Sequence, residues 1–313
     1  MSENIICPNC NTENDCREMS KEELLAIHCG NCATEIGRSI PKNYLLYNFY
    51  YFLLNAFIYA LIICTSAYIF ENYYEWKSIS GFIFLFSIYL ASIALHEFFH
   101  AFFGYIFGDY TILDNGYLRL NILKYFDGIH SFIFPGIMIL FFGIFLPGAA
   151  VYIQTDNIKY RLNKFIVNFS GIFSQVIFLY FLLFLINSNN LFFSKDFEAL
   201  LHAAAYFQLI LLIFNLLPLP GLDGWQAIFS LIFPKIGNFI SRYFSMPSII
   251  LFISLVIFNE EFSFFISDNL DILSEKIGIN YDLFLEGFEY MLILDIDTFV
   301  VMKDGLVEFI KKL

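Results

Sequence analysis

The sequence predicts an all-α integral membrane protein: five or six transmembrane helices, a re-entrant segment among the apolar stretches, a small head before them and a mixed acidic tail after them. Three observations carry that expectation. The 313 residues are 59% hydrophobic, 20% aromatic and only 15% charged, where soluble domains average about 25% charged. The mean hydropathy is +0.68. Apolar runs recur near 45–70, 79–107, 130–153, 163–187, 200–220 and 245–266, most of them reaching the roughly 20 residues that a spanning helix needs.

Residues 1–43 form the head. It has no apolar stretch of the kind a cleavable leader carries. Cys7-x2-Cys10 and Cys29-x2-Cys32 are separated by 18 residues, which matches a zinc-binding spacing. Four thiolates suit a closed tetrahedral structural Zn²⁺ site, and a head this short cannot fold on an apolar core alone. It is therefore expected to be a zinc ribbon, with Cys16 and His28 as spare donors. Disulfides are the alternative, in an oxidising compartment. The core then runs over 44–266 and the tail over 267–313. The net charge is −12, and residues 259–313 hold twelve acids and four lysines, so −8 of it lies there. Within the tail, "TFVVMKDGLVEF" reads as a hairpin turning at Asp304-Gly305. No Lys/Arg-rich patch is present, which argues against nucleic acid as a partner.

Lysine and arginine near the span ends set orientation. Arg38 and Lys42 precede the first span and place the N-terminus in the cytoplasm. Glu71, Glu75 and a single lysine mark the next loop as outside. Arg119 and Lys124 fall inside, and so do Lys159, Arg161 and Lys164. Both sets fit only if 130–153 returns to its starting side. Pro135, Gly136, Gly143, Pro147 and Gly148 permit such a dip, with irregular backbone shielded by protein or a water cavity. If 130–153 instead crosses, the tail lies inside.

The chemistry sits in the second apolar run, at His96-Glu97-Phe98-Phe99-His100. Ionisable groups at membrane depth are costly and persist mainly for function. Spacing i, i+4 puts both imidazoles on one helix face, where they can share one Zn²⁺, and Glu97 can serve as general base. A catalytic zinc wants a third protein ligand. "FNLLPLPGLDGW" offers Asp223. Pro218 and Pro220 should unwind a helix arriving from 200 near Leu217, freeing Asp223 to turn towards a partner. The alternative is an ordinary turn aspartate at the membrane surface. Cys64 reads as a small core residue. His130 and His202 read as packing or segment-end residues, because neither has a metal-spaced neighbour.

H-E-x-x-H in one span, with Asn215-Leu216-Leu217-Pro218-Leu219-Pro220-Gly221-Leu222-Asp223-Gly224 in a later one, resembles the site-2 protease family of intramembrane zinc metalloproteases. The resemblance covers about 79–235. It implies His96, His100 and Asp223 as ligands of a catalytic Zn²⁺, Glu97 as catalytic base and acid, and Asn215 as a hydrogen-bond donor to substrate or oxyanion. A weaker match is "VNFSGIFSQVIF", which keeps Gly171 but has Ile172 and Gln175 where the family often has proline and asparagine. The implied activity is zinc endopeptidase cleavage of a membrane-anchored protein in or near the bilayer; the orientation read from lysine and arginine places His96–His100 late in an inward-going span, so the cavity is expected to open to the cytosol. "PGAAVYIQT", residues 147–155, is a β-prone run that could offer an edge strand to an unwound substrate; an ordinary loop is the alternative. Two rival functions remain: a catalytically silent relative that binds membrane segments, and a metal transporter. An intact Glu97 speaks against the first. Polar residues gathered at one depth rather than along a path speak against the second.

Overall fold

The computed structural model describes residues 4–6, 13–15, 27–28, 35–37, 42–125, 151–188 and 193–290. In chain order the helices are α1 (Lys42–Asn72), α2 (Lys77–Ile106), the short α3 (Thr111–Asn115) and α4 (Ile122–Tyr125), α5 (Arg161–Asn187), α6 (Lys195–Leu216), α7 (Asp223–Ile232), α8 (Pro234–Phe258), α9 (Glu260–Lys276) and α10 (Tyr281–Glu289). Four segments are long and apolar enough to cross a membrane: Leu45–Asn72, Tyr74–Ile106, Arg161–Asn187 and Lys195–Leu216. Phe239–Ser245 and Pro247–Val256, bent by 51°, make a fifth if they act as one span. The bend falls at Pro247, whose ring cannot fit the preceding turn. The chain is a helical membrane protein with four such spans, or five, among the described residues. Most of the expected 130–153 segment lies outside them. The span expected at 245–266 is not one helix: α8 ends at Phe258, and the Asn259 side chain caps α9 by accepting the Phe262 N–H at 2.9 Å.

Burial ranks the spans. The most apolar window of α6 is 83% buried and that of α1 only 6%, so α6 is the central post and α1 faces lipid with Leu46, Phe49, Leu53 and Phe57. Cys64 is exposed on α1. It is not the core residue expected, because α1 touches the bundle along a narrow seam only. Ser194 caps α6 by accepting the Phe197 N–H, and Glu71 accepts from both the Ser194 N–H and hydroxyl. Lys77 pairs with Asp196 beside them. These contacts fasten the α1–α2 corner to the start of α6.

A buried neutral network joins three spans. The Ser92 hydroxyl on α2 donates to Gln208 Oε1 on α6 at 2.6 Å, Gln208 Nε2 donates to the Gln175 carbonyl on α5 at 3.2 Å, and Asn215 Nδ2 donates to Gln175 Oε1 at 3.2 Å. All four residues are buried. Each polar group withdrawn from water and lipid finds a partner, as a bilayer interior demands.

The first part of the tail is helical and packs on α6. Phe284 stacks on Tyr206 with ring centroids 4.0 Å apart, and Asp271 accepts the Tyr206 hydroxyl at 2.6 Å. His202 Nδ1 accepts the Asn280 N–H at 3.0 Å, the packing role expected of it. The hairpin expected at 298–309 and His130 lie outside the described residues. So do Cys7, Cys10, Cys16, Cys29 and Cys32. In the head, β1 (Asn4–Ile6) pairs antiparallel with β2 (Glu13–Asp15), and β3 (Ile27–His28) with β4 (Glu35–Gly37).

Candidate metal centre

The long helix α2 carries His96 and His100 one turn apart, both buried. Their Nε2 atoms stand 3.1 Å apart. The third donor comes from the break after α6. That helix ends at Leu216, and Leu217 is extended at φ −60°, ψ 137°, as the following Pro218 requires. Gly221 turns the chain at φ +99°, a left-handed conformation that suits glycine. Asp223 then opens α7. Gly224 lies against the end of α6 so closely that a Cβ would fall 2.3 Å from the Leu216 carbonyl oxygen. This contact presses the start of α7 onto the bundle. Asp223 Oδ2 thereby reaches 2.8 Å from His96 Nε2 and 3.2 Å from His100 Nε2.

These three donors lie together as a set able to hold a metal ion. Tetrahedral ligands of zinc stand about 3.3 Å from one another at ordinary Zn–N and Zn–O lengths, so separations of 2.8–3.2 Å are within a few tenths of an ångström. Two further features fit a cation. His100 Nδ1 lies 2.7 Å from the Val167 carbonyl oxygen, which fixes Nδ1 as the protonated nitrogen and leaves the Nε2 lone pair free to ligate. On α5, Gly171 leaves a hollow over the cluster: a Cβ there would lie 2.3 Å from His100 Nε2 and 2.7 Å from His96 Nε2. Burial alone would raise the Asp223 pKa, but the imidazoles of His100 and His96 outweigh it and hold the carboxyl below the usual range. His96 Nδ1 is buried with no hydrogen-bond partner among the described residues.

Glu97, also buried, puts Oε1 at 3.9 Å from His96 Nε2, and its Oε2 accepts the Val151 N–H at 2.9 Å. Asn168 on α5 donates to the Gln226 carbonyl on α7 at 3.1 Å, so the helix of Gly171 and the helix of Asp223 are tied directly. Tyr125 is fully buried in the α2-side cluster with Ala94 and Ala101. Burial keeps its phenol pKa well above the ordinary value, the Glu97 charge adds to this, and the hydroxyl donates to the Tyr117 carbonyl at 2.8 Å.

The geometry brings His96, His100, Asp223 and Glu97 into one site. Asn215 is buried on the last turn of α6 and gives one of its two amide hydrogens to Gln175. Residues 151–154 form neither helix nor strand, a 3₁₀ turn follows at Thr155–Asn157, and 147–150 lie outside the described residues. The Val167 carbonyl and the Val151 amide were not anticipated, since backbone groups leave no trace in residue type.

Comparison with known proteins bears on this site. The chain is 32% identical over 154 residues to "Putative zinc metalloprotease YwhC" of Bacillus subtilis (strain 168), covering 47% of this chain and 68% of that protein. The chain belongs to the site-2 protease family. It is also 37% identical over 155 residues to "Putative zinc metalloprotease Rip2" of Mycolicibacterium smegmatis, and 36% identical over 151 residues to the Rip2 protein of Mycobacterium tuberculosis. Those matches cover 47% of this chain, and the chain spans 56% of the length of each Rip2 relative. No family profile and no solved structure matches the chain.

Proposed function

We propose that this member of the site-2 protease family is an intramembrane zinc metalloendopeptidase that hydrolyses peptide bonds of membrane-anchored proteins within or near the bilayer. The observation that carries the reading is the convergence of His96 Nε2, His100 Nε2 and Asp223 Oδ2 beneath the hollow at Gly171, with Glu97 beside them. His96, His100 and Asp223 would hold the ion. Zn²⁺, when bound, supplies Lewis acidity, polarising the scissile carbonyl and acidifying water. Imidazole and carboxylate donors suit it.

The remaining work falls to this chain. Glu97 Oε1, turned towards the cluster, takes the proton of the attacking water and delivers it to the leaving amine nitrogen. Asn215, oriented by Gln175, is assigned to the substrate carbonyl as a neutral donor. Burial of His96, Glu97 and His100 supports a dry, low-dielectric setting in which those charges act strongly. For the head we propose a structural Zn²⁺ on Cys7, Cys10, Cys29 and Cys32. Each C-x2-C pair falls in the chain between the two strands of an antiparallel pair, which supports a ribbon over 1–43 preceding the core 44–266 and the tail 267–313. The N-terminus is assigned to the cytoplasm on Arg38 and Lys42.

The test is metal content together with cleavage of a transmembrane test substrate by detergent-purified protein. Wild type should hold two zinc ions and cut. Glu97→Gln should hold two and be inactive, and Asp223→Ala should lose one and be inactive. Cleavage by Glu97→Gln at the wild-type rate would sink the mechanism.

A further inference from the structure

Glu97 is tethered by backbone rather than by side chains. Its two oxygens are inequivalent: Oε1 faces His96 Nε2 at 3.9 Å, while Oε2 accepts the Val151 N–H at 2.9 Å. Residue 151 lies in neither helix nor strand, so no regular ladder fixes that amide. Val151 itself packs on the apolar cluster of Ala94 and Ala101, and the turn that follows it is anchored at the far end of α2. Asp109 is fully buried. Its Oδ2 accepts the Gln154 N–H at 2.7 Å, and its Oδ1 accepts the Thr111 hydroxyl at 2.7 Å and the Thr111 N–H and Asn157 Nδ2 at 3.3 Å each. Among the described residues these partners are all neutral. A buried carboxylate without a cation is costly to keep. Here it clamps the turn whose leading residues deliver the Val151 amide to Glu97.

We propose that Asp109 is a positioning residue for Glu97. By holding Gln154 and Asn157 it sets residue 151 where its N–H tethers Oε2 and leaves Oε1 facing the His96, His100 and Asp223 donors. This rests on the hydrolytic reading above. The role requires a carboxylate, because one side-chain end must accept from Gln154 while the other accepts from Thr111 and Asn157. An asparagine has the same size but sets an NH₂ against a donor on one side, and the clamp opens. A base released from its tether samples other rotamers, and a displacement of about 1 Å at a reacting group costs on the order of 10²-fold in rate.

The experiment uses full-length protein in detergent: wild type, Asp109→Asn, and Asp156→Asn as the control. Asp156 is exposed in the same turn, so the control makes the same charge change without touching the clamp. Three quantities are read: amide hydrogen exchange across 151–158, zinc content, and kcat and KM on the transmembrane test substrate. For Asp109→Asn, exchange at 151–158 should quicken at least about tenfold, while α2, α5 and the zinc content stay as in wild type. Its kcat should fall about 10–100-fold at constant KM, the range for residues that orient a metal site from outside it. Asp156→Asn should match wild type throughout. Wild-type exchange at 151–158 in Asp109→Asn, or an unchanged kcat, overturns the proposal. So does a loss of activity accompanied by loss of zinc and of helix protection, which would make Asp109 a fold residue. Wild-type protein that cuts nothing would count against the hydrolytic reading instead, and the exchange data would still report on the clamp.

Discussion

Gly171→Ala is the sharpest probe of the metal site, because it adds one methyl group in a known place. That carbon would stand 2.3 Å from His100 Nε2, 2.6 Å from His96 Cε1 and 2.7 Å from His96 Nε2. Non-bonded contacts settle at about 3.5–4.0 Å, so the imidazoles must retreat by about 1 Å. A metal site tolerates ligand shifts of only about 0.2 Å. Removing an outer-shell partner costs about 10–100-fold in metal affinity. Displacing two ligands directly should cost at least the upper figure, and a hundredfold weaker site forfeits about 2.7 kcal/mol of zinc-linked stability. The metal-free protein should respond in the opposite sense. Freed imidazoles can rotate away, and alanine is better than glycine inside a helix by about 1 kcal/mol. Zinc content and melting temperature, each with and without chelator, read both effects. The variant should hold one zinc fewer than wild type, and its melting temperature should no longer respond to chelation of that site. A Gly171→Ala protein that keeps its full zinc and resists chelator as wild type does would refute the placement of α5 over the ligands.

Two further outcomes follow from packing and a third from the cysteine spacing of the head. Gln208→Leu strands the Ser92 hydroxyl and takes from the Gln175 carbonyl the hydrogen bond it accepts beyond its own helix, so thermal unfolding in detergent should register a loss of about 1–3 kcal/mol; an unchanged melting temperature would mean the network carries no stability. Gly287→Ala would push a Cβ to 2.1 Å from the Ala199 carbonyl oxygen, backbone that cannot yield, and the overpacking should cost about 1–3 kcal/mol and free 281–289 to faster hydrogen exchange. Cys7→Ser with Cys10→Ser should remove one zinc and leave cleavage chemistry intact in a detergent assay; loss of both zinc ions would tie the head to the membrane site.

What was legible in the sequence was local. His96 and His100 announce a shared face because i, i+4 is fixed by helix geometry alone. Leu217 was expected to break the helix because Pro218 and Pro220 act on their neighbours, and α6 does end at Leu216. What was not legible is tertiary. Gly171 meets the imidazoles only because α5 crosses α2 at that turn, and Asp109 finds Gln154 and Asn157 across more than forty residues. Cys64 was misread because apolar surroundings in a sequence mean either core or lipid, and only packing tells them apart. The continuous span expected at 245–266 failed for a similar reason: an apolar average hides the break at Asn259, which depends on a side-chain cap.

The hydrogen bonds shared by Ser92, Gln208, Gln175 and Asn215 also constrain how the chain is assembled. These residues sit on three spans; a serine such as Ser92 can turn to a carbonyl of its own helix, as Ser87 does, but the side-chain amides of Gln175 on α5 and of Gln208 and Asn215 on α6 have nothing in hydrocarbon to satisfy them while their span is alone. Only when α6, the last of the three, is in place do the groups find one another. A chain halted during synthesis after α5 would therefore display the Gln175 amide to lipid, a mark by which membrane quality control could tell an unfinished copy from a finished one.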